Sequence, residues 1–383
     1  MAMPADGKRR TAAWAVAGLL LAAVLTLYQA ERTGGGTPPA SAACPAGGSP
    51  DCPRPGGGGT QPPAASSPTA PSPGAGASAP ASAAPPPPLR STAPAAAGPC
   101  PSPGACGFPD EHTTGPRIPL ERHDTGNMSV RKDGTVIRGW DIRGSLDVYA
   151  DDVTVIDSRI TSTNWWGVNL RPGFRNLRIL HTEITAVPGK GPDNGGANYA
   201  VSNMGTDSVE VGWCDISVFG NALSMGQGHL HDNYVHDIVP FRNKTGEWQH
   251  TDAVISGGGN KGRLVLRHNT LLNPVPVDRG ATAAVGLFAD TGTVSSVVVD
   301  RNWLAGGAYT LYGGGPGATG IEVTDNVFST QYHPHGGAYG QVAAWNAGGA
   351  GNVWRGNRTS EGQPVVPEPA PSPTPVPAPL PAP

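Results

Sequence analysis

The chain has 383 residues, including 55 glycines and 42 prolines, and a formal net charge of −3. Its length would allow two or three domains, but the composition confines regular patterning to one region, residues 107–360. That region is close to neutral and has no basic stripe or aromatic–basic platform, so a nucleic-acid partner is not expected.

The first 30 residues have the pattern of a targeting segment. Lys8-Arg9-Arg10 precedes a mostly apolar run from Thr11 to Ala30, which is long enough to span a bilayer. A cleaved signal peptide also fits, but Tyr28 stands where a small residue is preferred before a cleavage point, which favours an uncleaved signal anchor. Either interpretation predicts an extracellular domain, secreted or held at the cytoplasmic membrane through this segment only.

Two flanking regions have compositions that do not support a packed core. Residues 31–106 are rich in Pro, Ala, Ser and Gly, and residues 361–383 are rich in Pro. Such segments bury too little apolar surface to offset their chain entropy. We expect a disordered, extended spacer before the domain and a disordered tail after it.

The five cysteines fit an exported chain, in which disulfides persist. Cys100 and Cys106 flank a short turn and are the first choice for a disulfide, with Cys44–Cys52 as a second local pair. We expect Cys214 to be a buried free thiol. No Cys/His spacing typical of a zinc site occurs.

A motif recurs about every 20 to 35 residues between Thr135 and Thr359. It consists of an apolar-x-apolar pair, four residues and a further apolar residue, with a small or amide residue two places before the last apolar one. The clearest copies are Val153-Val155-Ile160, Leu177-Ile179-Ile184, Val209-Val211-Ile216, Leu264-Leu266-Leu271, Val297-Val299-Leu304 and Ile321-Val323-Phe328. Spacing by two predicts strands, and self-similarity at this period predicts a solenoid.

The small or amide position forms a column that we interpret as structural. Its members are Ser158, Thr182, Cys214, Asn233, Asn269, Asn302, Asn326 and Asn357. Stacked amides can donate and accept along the column, and Asn tolerates the left-handed backbone of a tight turn. A second strand precedes each repeat strand, as in Asp252-Ala253-Val254-Ile255, and predicts a second parallel sheet. The sequence thus predicts an all-β, right-handed parallel β-helix over residues 107–360, expected to be a monomer.

The densest polar cluster lies around the longest insertions of the array, residues 188–198 and 239–249. His250 and Asp252 are two residues apart, so on a strand they would share a face and form an acid/base pair in which the carboxylate raises the pKa of the imidazole. Glu247, Arg263 and Arg267 complete the candidate catalytic set. Candidate substrate-binding residues are Arg242, Lys244, Trp248, His229 and His231.

Structural interpretations of these residues compete with the functional ones. His231, Asp232 and His236-Asp237 adjoin turns, and Trp165-Trp166 could cover the core as readily as stack on a sugar ring. Lys190, Asp193 and Asn194 lie in a Gly-rich loop and are expected to be solvated.

The stacked strands and the Asn column resemble the right-handed parallel β-helix proteins of the pectate-lyase-like superfamily, and within it a group of exported actinobacterial proteins. The opening Gly107-Phe108-Pro109-Asp110 and the later Thr114-Gly115 are similar to that group's Gly-aromatic-Pro-Asp-x-x-Asn-Thr-Gly, with Thr113 replacing the Asn. His250-Thr251-Asp252-Ala253-Val254 is similar to a His-x-Asp-Gly-Ile-Gln segment, with Ala253 and Ile255 replacing Gly and Gln. The Arg-x-Pro-x-x-Arg segment of pectate lyases, the polygalacturonase set and the Asp-Pro-His-Glu segment of alginate epimerases are absent.

This resemblance implies polysaccharide as the ligand class. We expect a lyase or a glycoside hydrolase, and the alternative is a non-catalytic surface protein that binds carbohydrate or acts as an adhesin. A lyase would use His250 or an Arg as base beside a cation, whereas a hydrolase would pair Asp252 with Glu247 or Asp232. The sequence contains no cofactor motif. Ca²⁺ is the one metal kept open, because a lyase would use it.

Overall fold

A computed structural model describes residues 99–205 and 207–367. In this part of the chain, short parallel strands form three sheets, and each coil contributes one strand to each sheet in turn. Sheet I contains Met128–Val130, Leu146–Val148, Trp166–Leu170, Tyr199–Asn203, Asn221–Ser224, Thr251–Ser256, Ala281–Leu287, Tyr309–Gly313 and Gly340–Ala343. Two 3-10 turns, Gly104–Cys106 and Val277–Arg279, are the described helical elements, and neither they nor any other described segment forms a long apolar helix able to span a membrane.

Sheets II and III lie on the other two sides of each coil. The strands of sheet II are Val136–Arg138, Thr154–Ile156, Leu177–Leu180, Val209–Gly212, Gly228–His231, Leu264–Arg267, Ser295–Asp300, Thr319–Thr324 and Val353–Arg355. The strands of sheet III are Glu121–His123, Trp140–Arg143, Arg159–Ser162, Glu183–Ala186, Asp215–Ser217, Tyr234–His236, Thr270–Asn273, Trp303–Gly306, Val327–Ser329 and Arg358–Thr359. The predicted all-β, right-handed parallel β-helix is confirmed.

The repeat motif spans two sheets, because its apolar pair belongs to sheet II and its last apolar residue to sheet III. The inward residues stack in rows with zero exposure, as in Ile179, Val211 and Leu230. The array therefore has three sheets rather than the two that the sequence suggested.

The amide column lies at the turn between sheets II and III, and its amides bond as predicted. Asn302 donates to the side-chain oxygen of Asn326 at 3.0 Å and to Leu266 O at 3.0 Å, while its own oxygen accepts from Asn269. Asn233 and Asn357 extend the same chain of bonds. The left-handed backbone was expected at the Asn, which was wrong. It belongs to the preceding residue, for example Asp232, His268 or Arg301, and this places the amide inside the turn.

The N-terminal segment runs along the solenoid in the direction opposite to the coils. Cys100 N–H donates to Ser360 O in the last coil at 2.7 Å. Gly107 O accepts from His268, and Pro109 O accepts from Thr270. Farther along, Gly115 N–H donates to Trp213 O, and Arg117 makes a bidentate ion pair with the buried carboxylate of Asp157. Residues 100–117, the strap, thus touch successive coils from the last towards the first.

The cysteines in the described region are placed as predicted. Cys100 and Cys106 form a disulfide at the start of the strap, and Cys214 is a buried free thiol whose burial raises its pKa to about 12. The Cys44–Cys52 pair, the N-terminal segment 1–30, the spacer up to residue 98 and the tail from residue 368 lie outside the described residues. Chain flanking 107–360 also packs on the solenoid, since Val365 is buried and accepts from Trp354 Nε1.

Candidate functional site

Two neighbouring strands of sheet I place buried polar residues, Asn221 and Asp252, in the same row. The register aligns Tyr199, Asn221, Asp252 and Ala283 on successive coils. The register shifts between Thr251 and Asp252. The extra residue at this shift is Thr282 of the neighbouring strand. Ala253 and Val254 both belong to the core, so the strand departs from simple alternation of faces next to Asp252.

Several buried polar atoms of this row have no hydrogen-bond partner in the protein. They are Asn221 Oδ1 and both carboxylate oxygens of Asp252, and Asn198 Nδ2, one residue before Tyr199, is unpaired in the same way. Asn221 Nδ2 donates to Asn198 Oδ1 at 2.8 Å and to His250 O at 3.1 Å. Each unpaired buried group reduces the stability of the fold by about 1–3 kcal/mol. Buried groups of this kind, and perturbed pKa values, occur more often at functional sites than elsewhere.

Asp252 has zero exposure, and this burial raises the pKa of its carboxyl well above the ordinary value. Its Oδ1 lies 3.0 Å from the point that a Cβ on Gly286 would occupy, and the ring of Phe288 lies 2.3 Å from the same point. The absence of a side chain at Gly286 therefore lets the Phe288 ring fold back beside Asp252. In such surroundings burial favours the protonated form of the Asp252 carboxyl, which can donate a proton.

His250 precedes the same strand but is not hydrogen-bonded to Asp252. Its Nδ1 lies 3.2 Å from Thr282 Oγ1, and the carboxylate oxygens of Asp252 have no partner. The expectation that Asp252 raises the pKa of His250 was wrong, since burial lowers that pKa and the charge of Glu247 opposes the effect. His250 and Asp252 are two residues apart in the sequence but are not paired with each other in the structure.

Aromatic side chains lie on both sides of Asp252 along the axis. In the direction of the later coils, the rings of Phe288, Tyr309, Tyr312 and Tyr339 form a connected cluster with centroid distances of 5.2 to 5.9 Å. In the direction of the earlier coils, Trp165 contacts both Tyr199 and Phe241. Strands in a sheet are about 4.8 Å apart, so Tyr199 and Asp252, two strands apart, are separated by roughly 10 Å along the axis.

The two long insertions enclose a cleft of about 430 Å³ beside this row. Arg242 stacks on the Trp248 ring at 4.5 Å and donates to Gly246 O, and both residues line the cleft. Lys244 and Glu247 are exposed on the same insertion. The Thr245 hydroxyl donates a hydrogen bond to Glu247 Oε2 at 3.3 Å. The structure thus brings Arg242, Trp248, Lys244 and Glu247 together on one loop, next to His250.

The Gly-rich insertion is less solvated than expected. Asp193 is buried, although Lys190 is exposed as predicted, and burial raises the pKa of Asp193. Asn194 donates to Arg242 O and Asn243 O, which ties the two insertions together.

Arg263 and Arg267 lie at sheet II, not beside His250 and Asp252. Arg263 pairs with Glu322 at 2.7 Å, and Arg267 pairs with Asp300 at 3.1 Å. Arg267 is therefore occupied by a carboxylate of the next coil, and Arg263 by a carboxylate two coils away. The structure does not bring them to the polar row of sheet I.

His229, His231 and Asp232 also belong to the sheet II side. Asp232 is bonded to His231 Nδ1 at 2.8 Å and to His268 Nδ1 at 2.6 Å. Burial acts to raise the pKa of Asp232, but these two bonds hold it well below its ordinary value. Asp232 is thus hydrogen-bonded to two imidazoles at sheet II and does not pair with Asp252.

The sequence did not identify four residues as members of the candidate site: Asn198, Asn221, Phe288 and Tyr312. A usable signal was present, because Asn198 immediately precedes one sheet I strand and Asn221 begins the next. A Gly two residues before an aromatic residue also leaves room for its ring. The chain matches no known protein-family model, no curated protein and no solved structure at a significant level.

Proposed function

We propose that the solenoid binds a polysaccharide along the outer side of sheet I and hydrolyses it, with Asp252 as the general acid. The observation that carries this proposal is the pair of buried polar side chains Asn221 and Asp252, with the raised pKa of the Asp252 carboxyl and aromatic rings on both sides along the axis. Sugar rings offer hydroxyls to such polar atoms and apolar C–H faces to aromatic rings. The pectate-lyase-like superfamily, suggested by the sequence, is part of the same proposal.

In hydrolysis the Asp252 carboxyl gives its proton to the glycosidic oxygen as the bond to the anomeric carbon breaks. A second carboxylate takes a proton from the attacking water, or attacks the anomeric carbon itself. Two carboxylates act electrostatically on this region, Glu247 on His250 and Asp290 on Asp252. They are the candidates for the second role, and Asp232 is not, because it is bonded to His231 and His268.

A lyase is less well supported by this geometry. It requires a cation to neutralise a uronate carboxylate, but Arg263 and Arg267 are paired with Glu322 and Asp300 at sheet II. A non-catalytic carbohydrate-binding protein is the second candidate. It is favoured by the zero exposure of Asp252, because a buried carboxyl has no direct access to a substrate.

The decisive experiment incubates the full-length protein with neutral and uronate glycans and measures new reducing ends, unsaturated products and binding. Hydrolysis predicts reducing ends without unsaturated products, and a loss of about 100-fold or more in Asp252→Asn. Asp207→Asn, an exposed carboxylate at sheet II, is the matched control and should keep full activity. Unsaturated products would indicate a lyase, and binding without turnover would indicate the non-catalytic protein.

We further propose that the domain is exported, as the basic and apolar N-terminal segment predicts. The Cys100–Cys106 disulfide supports this, because disulfides persist in oxidising compartments. Fractionation of cells that express the full chain, followed by protease treatment of intact cells, checks the location. Protection of the solenoid from external protease would contradict export.

A further inference from the structure

Three side chains that can ligate a metal meet on the outer side of sheet II, away from the polar row of sheet I. They are Glu210, His229 and His231, whose ligand atoms all lie within 4.8 Å of one another. The register places Glu210 opposite His229, and Gly212 opposite His231. Two neighbouring strands therefore present the three groups side by side.

Gly212 allows this arrangement. A Cβ at Gly212 would lie 2.5 Å from Cε1 and 2.7 Å from Nε2 of His231. The imidazole therefore lies over the glycine, and its Nε2 comes within 3.3 Å of Glu210 Oε1. The His229 ring is 4.5 Å from the His231 ring, on the exposed side of the cluster.

The spacing of the ligand atoms suits a small tetrahedral cation. Two ligands held about 2.0–2.1 Å from Zn²⁺ lie about 3.3–3.4 Å apart across a tetrahedral edge. The separation of 3.3 Å between His231 Nε2 and Glu210 Oε1 fits that edge. Rotation of the exposed His229 side chain brings the third ligand to the same centre.

The remaining nitrogen of His231 is already oriented as in a ligating histidine. His231 Nδ1 is 2.8 Å from Asp232 Oδ2, and the other oxygen of Asp232 is 2.6 Å from His268 Nδ1. His268 in turn donates from Nε2 to Gly107 O in the strap. A carboxylate behind an imidazole fixes its ring and increases its basicity as a ligand.

The neighbouring cations do not fill the site. Arg178 bonds to Oε2 of Glu210 and leaves Oε1 facing His231. Arg267, opposite His231 in the next strand, is paired with Asp300. The ligand set of two imidazoles and one carboxylate therefore remains available on its outer side.

The geometry points to a Zn²⁺ site formed by His229, His231 and Glu210, with Asp232 as the residue that positions His231. Three protein ligands leave a fourth position for water or for a donor atom of a bound molecule. This inference concerns sheet II and does not depend on the hydrolytic role proposed for Asp252.

The test measures Zn²⁺ affinity of the full-length protein without a histidine tag, by competition with a chromophoric chelator. Co²⁺ replaces Zn²⁺ in a parallel measurement, because its visible absorption is intense only in tetrahedral coordination. We expect one ion per chain, a weakening of at least about tenfold in His229→Ala, and a weakening of about 10- to 100-fold in Asp232→Asn. His229 is exposed, so this variant should keep the fold.

His236→Ala is the matched control. His236 contacts two carboxylates, Asp215 and Asp237, at 2.8 Å each, but has no second histidine beside it. The control should bind Zn²⁺ as the wild type does. Equal affinity of the wild type and His229→Ala, or an octahedral Co²⁺ spectrum in the wild type, would overturn the inference.

Discussion

Asp252 lies directly opposite Asn221 in sheet I, and both side chains leave buried oxygens without a hydrogen-bond partner of good geometry. Burial disfavours the charged form of Asp252 more strongly than the nearby backbone of Ala283 favours it. A proton on the carboxyl removes the charge and supplies a donor, which agrees with its raised pKa. The pH dependence of stability follows from this relationship.

Asp252→Asn should make the protein more stable at pH 8 and flatten its pH profile. The folded-state pKa of Asp252 is raised, so the folded protein binds more protons than the unfolded chain from about pH 4 upwards. The stability of the wild type therefore falls as pH rises through that window, by up to about 1.4 kcal/mol per pH unit. Urea unfolding at several pH values measures both proteins, and parallel profiles would contradict a buried neutral carboxyl.

Gly286→Ala should displace Phe288 and hydrate Asp252. The new Cβ would lie 2.3 Å from the Phe288 ring, so the ring must move, at a cost of about 1–3 kcal/mol. Hydration should bring the pKa of Asp252 back towards its ordinary value, and the pH-dependent loss of stability should shrink. Gly317→Ala is the control, because its nearest neighbour is 3.8 Å away. An unchanged pH profile in Gly286→Ala would mean that Phe288 does not exclude water from Asp252.

Asn302→Ala should destabilise the solenoid by about 2–4 kcal/mol, because two buried groups lose their partners. Asn302 donates to Leu266 O, and its oxygen accepts from both the backbone and the side chain of Asn269. Ser129→Ala, at an exposed strand position, should change stability by less than about 0.5 kcal/mol. Chemical denaturation compares the two, and equal midpoints would exclude a stabilising role for the column.

Asp215→Asn should lower the pKa of His236. Burial lowers this pKa, but the hydrogen bonds to Asp215 and Asp237 raise it by more. Protonated His236 stabilises the fold below about pH 6.5, and this contribution is lost as pH rises through the raised folded-state pKa. Titration of the imidazole resonances by NMR measures the pKa in both proteins. The same midpoint in wild type and variant would show that Asp215 does not hold the proton on His236.

Cys214 should resist alkylation in the folded protein. Its thiol is fully buried, and burial raises its pKa to about 12, so the reactive thiolate is scarce at pH 8. Pulse labelling with iodoacetamide, followed by peptide mass spectrometry, should detect modified Cys214 only after denaturant is added. Labelling at the same rate without denaturant would show that this part of the core opens.

The sequence was sufficient for the solenoid because each coil repeats the same inward rows, and stacking alone determines which residues meet. Val155 and Ile179 become neighbours wherever the insertions lie. The number of sheets was harder to predict. The left-handed residue that separates sheets II and III is Asp157 in one coil and Trp213 in another, so no single residue type marks the bend.

The site was less predictable than the fold. His250 and Asp252 would share a face in a regular strand, but His250 lies before the strand that begins at Thr251, and Ala253 and Val254 both enter the core, so regular alternation does not hold there. Phe288, which belongs to the next coil, folds back over Gly286 and lies close to the buried carboxyl of Asp252. A backbone irregularity and a contact between coils are tertiary effects, and neither leaves a periodic mark in the sequence.

The strap attaches to the coils of the solenoid in the order opposite to their order in the sequence. Residues that precede the solenoid attach first to its last coil, through Cys100 and Ser360, and reach Asp157 near the opposite end only at Arg117. A tensile force applied through the N-terminal region therefore acts first on the final coil. It would detach the strap from the solenoid before it acts on the first coil. During synthesis, likewise, the strap cannot complete its attachment until the ribosome has delivered Ser360.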